Sequence, residues 1–527
     1  MNSLLRDDGL KKAIAQIVVR TEYDDLKTAV DSFYDCNIIS HLTNSNHQII
    51  QGRRGTGKTH ILRVLQKTME TTTQHCIYFD CRGTGTSKEI SSSNIPEKYR
   101  AIQLIRTFLL RVYKDLSRYY KEIKIFDGSN ETSQKVQNLL SIMFSECYSV
   151  SNTKEKFERT KTNTNRTRHR SLLSSLLQPA TDFDARQQKA SGVSFGEIVY
   201  PNVKDCLTEL ATVTGKNFII LIDEWSSLPW ELQPHFSEFL HQCFFSSNCF
   251  TIKIAAVKNR SQYSIRKNSV VYGLELGADI SADFDLDQIY ALDGNPRKIF
   301  SDLFSILWTH LKANGIIQNI DVVGLANGLF VSFQAAALIV RASEGNPRDF
   351  ISILHQCLIQ SDGMGNSATK INCHTVYAAA NLWYKDDKCA ALAPEQRKLL
   401  DELTMFVVHD HNNRAFLLEE RYLQSKQIAG LIDARVLHPI QTRRFFPDLC
   451  RRPLAILVLD FGTYSPELET GKDIHFYASD VHDEIETYVF GEYTKSRRYD
   501  DALYSLDAKR KFRRCYWDPE YLNYPLE

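Results

Sequence analysis

Residues 47–64 read HQIIQGRRGTGKTHILRV, and inside them Gly52-Arg53-Arg54-Gly55-Thr56-Gly57-Lys58-Thr59, followed by His60, fits the phosphate-binding pattern G-x-x-x-x-G-K-[ST]. A short apolar run, Ile49 and Ile50, enters the loop. Ile61, Leu62, Val64 and Leu65 give the segment after it one apolar face at helical spacing. Glycines let successive backbone N–H groups turn inward around phosphate oxygens at a helix N-terminus, where the dipole also favours negative charge. The pattern therefore predicts strand, loop and helix, with Gly52 to His60 surrounding the phosphates of ATP. Lys58 would reach the β- and γ-phosphates and the Thr59 hydroxyl would ligate Mg²⁺.

Such a loop needs a second element to hold the metal from the opposite side and to orient the attacking water. Residues 217–224, NFIILIDE, have the form it takes. Five apolar residues, 218–222, predict a strand buried on both faces, and Asp223 and Glu224 fall at its C-terminal edge, where open α/β sheets bind ligands. Asp223 is the candidate Mg²⁺ partner through water, and Glu224 the candidate base. Residues 76–79, 251–257 and 270–276 are the further strands expected in a parallel sheet. Between the last two lies a polar, basic segment, 258–267. Asn259, just past a strand, is placed to sense a γ-phosphate. Arg260 and Arg266 are each either an arginine reaching a neighbouring subunit's nucleotide or part of a solvated basic loop.

The order of these parts, followed by a helical region containing Glu344-Gly345-Asn346-Pro347-Arg348, resembles the AAA+ ATPases, and within them the origin-recognition and initiator-loader clade. The resemblance implies a P-loop α/β core followed by a helical lid. It also implies that a Gly-Asp/Asn-x-Arg motif opens the lid helix that carries an arginine to the γ-phosphate. Carried over, that residue is Arg348. A shorter echo, Asp293-Gly294-Asn295-Pro296-Arg297, is its rival, and the helical run 333–342 ahead of Arg348 favours the first. The resemblance spans residues 20–360 and departs from the pattern at one place. Lys58 and Asp223 are 165 positions apart, which requires an insertion at about 84–200. That insertion reads as helical over 101–124 and 133–147. It then becomes a polar tract, 154–170, with seven Lys/Arg, two Glu and one aromatic residue, a composition that buries no core.

Past the lid, residues 392–407 and 424–434 read as amphipathic helices, and 436–440 with 454–459 as a β-hairpin. Helix, helix and hairpin look like the winged helix that initiator-type ATPases append to their lids. The expected wing carries Arg443, Arg444, Arg451 and Arg452 with Phe445 and Phe446. Arginines can neutralise phosphates and aromatics can wedge between bases, so double-stranded DNA is one candidate partner. The alternative is a hairpin core with a solvated basic rim. His409, Asp410 and His411 lack a third partner and read as surface residues. The last stretch, 495–514, carries eight Lys/Arg against three Asp and leads into an aromatic tail that packs on the chain or on a partner. The expected divisions are 1–40, 41–280, 281–370, 371–465 and 466–527.

The chain has 527 residues, 43% hydrophobic and 24% charged, so it is neither wholly disordered nor a single small domain. Its formal charge of +1 excludes a generic nucleic-acid coat and requires any basic surface to be local. No apolar run approaches the ~18–20 residues of a bilayer span, and Asp7 and Asp8 interrupt the place of a signal-peptide core, so a cytoplasmic protein is expected. The 12 cysteines show no C-x-x-C pair. Two functions fit. One is an ATP-hydrolysing switch, oligomeric or partner-bound, that couples nucleotide state to DNA binding or assembly. The other is a STAND-type signalling ATPase, such as those of antiphage systems, acting through a protein partner.

Overall fold

Strand β1 (Gln48–Gln51) is buried along its whole length, as its place inside a sheet covered on both faces requires. The structure, a computed structural model, describes residues 8–17, 26–125, 131–148, 198–470, 515–520 and 526, apart from breaks at 86, 93, 269, 293–294, 318, 364–369 and 447–449. β2 (Gln74–Asp80), β3 (Asn217–Asp223) and β4 (Phe250–Ala256) join β1 in a parallel sheet. The residues of 270–276 do not supply the fifth strand. β5 (Ser264–Lys267) and β6 (Val270–Gly273) instead form a separate antiparallel hairpin, and the sheet's edge beside β1 is β7 (Ser281–Asp285), giving the order β2-β3-β4-β1-β7. The reason is local. Asn268 adopts a left-handed φ of 49° and turns the chain where Lys267 pairs with Val270. Val270 is 67% exposed, so apolar character there did not mean a buried strand.

Alternation along the strands sends residues to two cores. Ile50, Ile219 and Leu221 face one that continues into the C-terminal helices, whereas Ile49, Ile220 and Ile222 face the other. Two helices from the expected insertion, Glu97–Glu122 and Glu131–Tyr148, cover this second face. Phe108 meets Phe79 and Phe236 edge-on at centroid distances of 5.1 and 5.2 Å, so these helices are part of the sheet's own core. The polar tract 154–170 lies outside the described residues.

The lid follows as helices Pro296–Ala313, Val322–Leu329, Phe333–Ala342 and Pro347–Gly363. Side chains at their starts satisfy free N–H groups: Asn295 accepts from Lys298, Asp321 from Gly324 and Ser332 from Ala335. Helices Pro394–Thr404 and Lys426–Asp433 then pack with a three-stranded antiparallel sheet, β8 (Ala415–Glu419), β10 (Cys450–Leu459) and β9 (Leu437–Phe446), in the order β8-β10-β9. This is the winged-helix-like region, with one strand more than the expected hairpin. The tail returns to it. Leu417 N–H donates to Cys515 O and Trp517 N–H to Leu417 O, both at 2.9 Å, and Trp517 is buried.

Candidate functional site

The phosphate loop turns on two left-handed glycines, Gly55 (φ 92°) and Gly57 (φ 88°), and Gly57 caps the helix Lys58–Met69. Lys58 is buried. Its Nζ donates to the carbonyls of Gly52 at 2.7 Å and Arg53 at 2.8 Å, and burial pushes the ammonium down to about 8 against the pull of Asp287, Glu224 and Asp223. Thr56 Oγ1 donates to the same Arg53 carbonyl at 2.9 Å.

Parallel register brings β3 alongside this loop. Asp223 accepts from Tyr78 Oη at 2.6 Å, from Glu224 N–H at 2.8 Å and from the Thr59 hydroxyl. Burial nevertheless holds its carboxyl above the ordinary range. Thr59 and Asp223 thus present hard oxygen donors side by side, a set that fits Mg²⁺. Glu224 occupies a left-handed φ of 52°, a conformation a non-glycine residue adopts only when its surroundings enforce it. It lines one cavity of about 260 Å³ with Arg54, Gly55, Thr56, Gly57, Lys58, Thr59, His60 and Arg348.

The lid touches the loop directly. Asn346 Nδ2 donates to Arg54 O at 2.9 Å, and Arg348 N–H donates to Gly55 O at 3.3 Å and Asn346 Oδ1 at 3.0 Å. Arg348 lines the cavity; Arg297, in the first turn of the helix Pro296–Ala313, does not. Asn259, Arg260 and Arg266 also stand outside it. Asn259 sits in the short 3₁₀ turn Lys258–Arg260, Arg260 Nε pairs with Asp433 Oδ2 at 2.5 Å, and Arg266 lies exposed 4.0 Å from Glu275.

Several neighbours carried no motif. Phe33, Tyr290 and His310 line the far wall of the cavity, with the His60 ring 5.0 Å from Phe33 and 5.8 Å from His310. Burial lowers His60 and takes His310 down to about 4. Gly52 and Arg53, expected among the phosphate contacts, are not on the cavity wall. Arg53 points away. Its N–H and Nε donate to Asp287 Oδ1 at 2.9 and 3.0 Å, and its guanidinium meets Glu344 O at 3.4 Å and His438 Nδ1.

On the wing, Arg443, Arg444, Arg451 and Arg452 are all exposed, and Arg452 pairs with Glu419 at 3.0 Å. The two phenylalanines divide: Phe445 is 62% exposed and Phe446 packs against the cluster of Ala415, Leu417 and Leu454. His409 lies 3.6 Å from Glu467, and His411 Nδ1 is bonded to Phe406 O at 2.7 Å.

Residues 18–270 match the ORC-CDC6-like family. No curated protein sequence matches the chain. Among solved structures it is similar to Pyrobaculum aerophilum Cdc6p (11% identity, covering 92% of this chain and 99% of that one, TM-score 0.29). It is also similar to Aeropyrum pernix Orc1 in complex with DNA (13%, 89% and 96%, TM-score 0.30) and to Drosophila ORC bound to DNA (11%, 88% and 92%, TM-score 0.32). Scores this low carry no weight beyond the family match. That match covers the phosphate loop, the Asp-Glu strand and four of the five strands of the sheet that holds them, and over residues 18–270 the chain resembles the ORC-CDC6-like AAA+ family.

Proposed function

We propose that the chain is an ATP-binding, ATP-hydrolysing switch whose nucleotide state governs DNA binding or assembly with itself or a partner. The observation that carries this reading is the convergence of Lys58, Thr59, Glu224 and Arg348, from three separate segments, on one cavity beside Asp223. Lys58 and the loop amides bind the phosphates, and Arg348 ties their outer end to the lid. Thr59 and Asp223 would hold Mg²⁺, which would supply neutralisation of the phosphates' negative charge. Glu224, turned toward the cavity by its left-handed backbone, accepts the proton of the attacking water. Loss of the γ-phosphate removes Arg348's contact and with it a reason for lid and core to stay closed.

The wing is the proposed DNA contact, because four exposed arginines and an exposed phenylalanine share one hairpin end. Within one chain Arg260 is held by Asp433, which leaves Arg266 as the better candidate for an arginine acting on a neighbour's nucleotide. Nothing in the family match points to an antiviral role.

Calorimetric titration of the full chain with Mg²⁺-ATP tests the core of this proposal. Lys58→Ala is expected to abolish binding, and Glu224→Gln to bind normally while phosphate release falls by about 10²-fold or more. Normal turnover by Glu224→Gln removes the base assignment.

A further inference from the structure

A buried line of polar groups leads from the phosphate loop into the winged-helix-like region. It starts at Arg53, whose main chain fixes the loop: its carbonyl accepts from both Lys58 Nζ and Thr56 Oγ1. The Arg53 side chain reaches His438 on β9. A guanidinium only donates, so His438 Nδ1 accepts and the ring proton sits on Nε2, which donates to Asp460 Oδ2 at 3.1 Å. Asp460 is in turn held by Lys388 Nζ at 2.5 Å, and Lys388 reaches Asp349 at 3.1 Å, on the helix that Arg348 opens. His438, Asp460, Lys388 and Asp349 are all buried. Burial also keeps the His438 imidazole below its usual range, in keeping with a neutral acceptor.

We propose that His438 is a positioning residue of the nucleotide site: through it the docked winged-helix-like region holds Arg53 and thereby sets the loop that carries Lys58. This rests on the nucleotide reading above. The coupling is reciprocal, so that nucleotide binding tightens the docking of β9 by the same factor that docking tightens nucleotide binding. A second tie runs parallel to it, since Asp433, at the end of the helix Lys426–Asp433, pairs with Arg260 and also feels the Arg54 charge at the cavity's edge. The nucleotide site is therefore completed in cis by a region some 380 residues further along the chain.

The test is Mg²⁺-ATP affinity of the full chain by calorimetry, with urea unfolding of each variant alongside. His438→Leu keeps bulk but offers no acceptor, and is expected to weaken ATP on the order of tenfold. His438→Asn, whose Oδ1 can stand where Nδ1 stood, restores most of that loss. The double variant Arg53→Met/His438→Leu binds no more weakly than Arg53→Met alone. Wild-type affinity in His438→Leu, equal loss in the Leu and Asn variants, or additive losses in the double variant overturns the proposal. If His438→Leu does not fold, hydrogen exchange of β9 decides: ATP slows it in the wild type and not in Arg53→Met, and equal protection in both overturns the proposal. A wild-type chain that binds no ATP overturns the nucleotide reading itself; one that binds ATP without this coupling overturns only the present inference.

Discussion

Gly55 shows how one residue ties the loop to the lid. A Cβ built there would lie 2.6 Å from Asn346 Oδ1 and 2.7 Å from Arg348 Cβ, at a φ of 92° that L-residues avoid. Gly55→Ala is therefore expected to lower unfolding stability by about 1–2 kcal/mol through backbone strain. It should also push the Asn346-Pro347-Arg348 turn off the loop. The check is urea unfolding set against ATP affinity: affinity should fall further than the stability loss alone explains, and a variant that loses stability but binds ATP as tightly as the wild type would separate the lid from the site. Much of the site was legible at this scale. Lys58, Thr59, Asp223 and Glu224 stand in local patterns, and the Asn-Pro-Arg turn was visible twice, with Arg348 and not Arg297 lining the cavity. Arg53's partners were not legible, because Asp287 and His438 are 234 and 385 positions away and neither belongs to a motif.

Among elements, β2 and the helix Glu97–Glu122 are joined by a histidine whose charge matters. His75 gives Nδ1 to Glu70 at 3.0 Å and Nε2 to Asp115 at 2.9 Å, and stacks on Tyr119 with centroids 3.8 Å apart. Burial alone would lower its pKa, but the two carboxylates outweigh burial and hold it above the ordinary 6.5. A raised folded pKa means the unfolded chain loses its proton first as pH rises. The stabilisation from charged His75 is thus complete below about 6.5 and disappears as pH climbs through the folded value. His75→Gln should cost about 1–2 kcal/mol at pH 6 and progressively less toward pH 9, read from urea midpoints; a pH-independent cost would mean that packing on Tyr119 is all that matters. The same scale holds the misread element. Periodicity placed β1 to β4 because each is a run of apolar residues, yet β7 reads Ser-Ala-Asp-Phe-Asp and takes the sheet edge without one. The apolar stretch after Arg266 became a hairpin through the turn at Asn268, and a single-sequence reading weighed hydrophobicity above that turn.

The whole molecule joins loop, lid and winged-helix-like region through buried charges, and the same arrangement bears on how the outer surface meets DNA. Asp349 is fully buried between Arg435 at 2.7 Å, Lys388 at 3.1 Å and Trp383 Nε1 at 3.2 Å, so Arg435→Ala, which strands part of that charge, should cost about 3–5 kcal/mol in urea unfolding. With these charges spent internally and a total of only +1, affinity for a polyanion has to come from particular exposed cations. The wing offers four exposed arginines, Arg443, Arg444, Arg451 and Arg452, and the pairing of Arg452 with Glu419 reduces what it gives. Each phosphate neutralised on duplex DNA contributes about −0.9 to the slope of log K against log salt. Replacing all four arginines by alanine should therefore flatten that slope by about 2–3, not by the full complement of four, and lower affinity most at low salt. Fluorescence anisotropy with a mixed-sequence duplex over a salt series, in the presence of ATP, measures both. An unchanged slope would move the DNA contact off the wing, and a change near four would mean that Arg452 leaves Glu419 on binding.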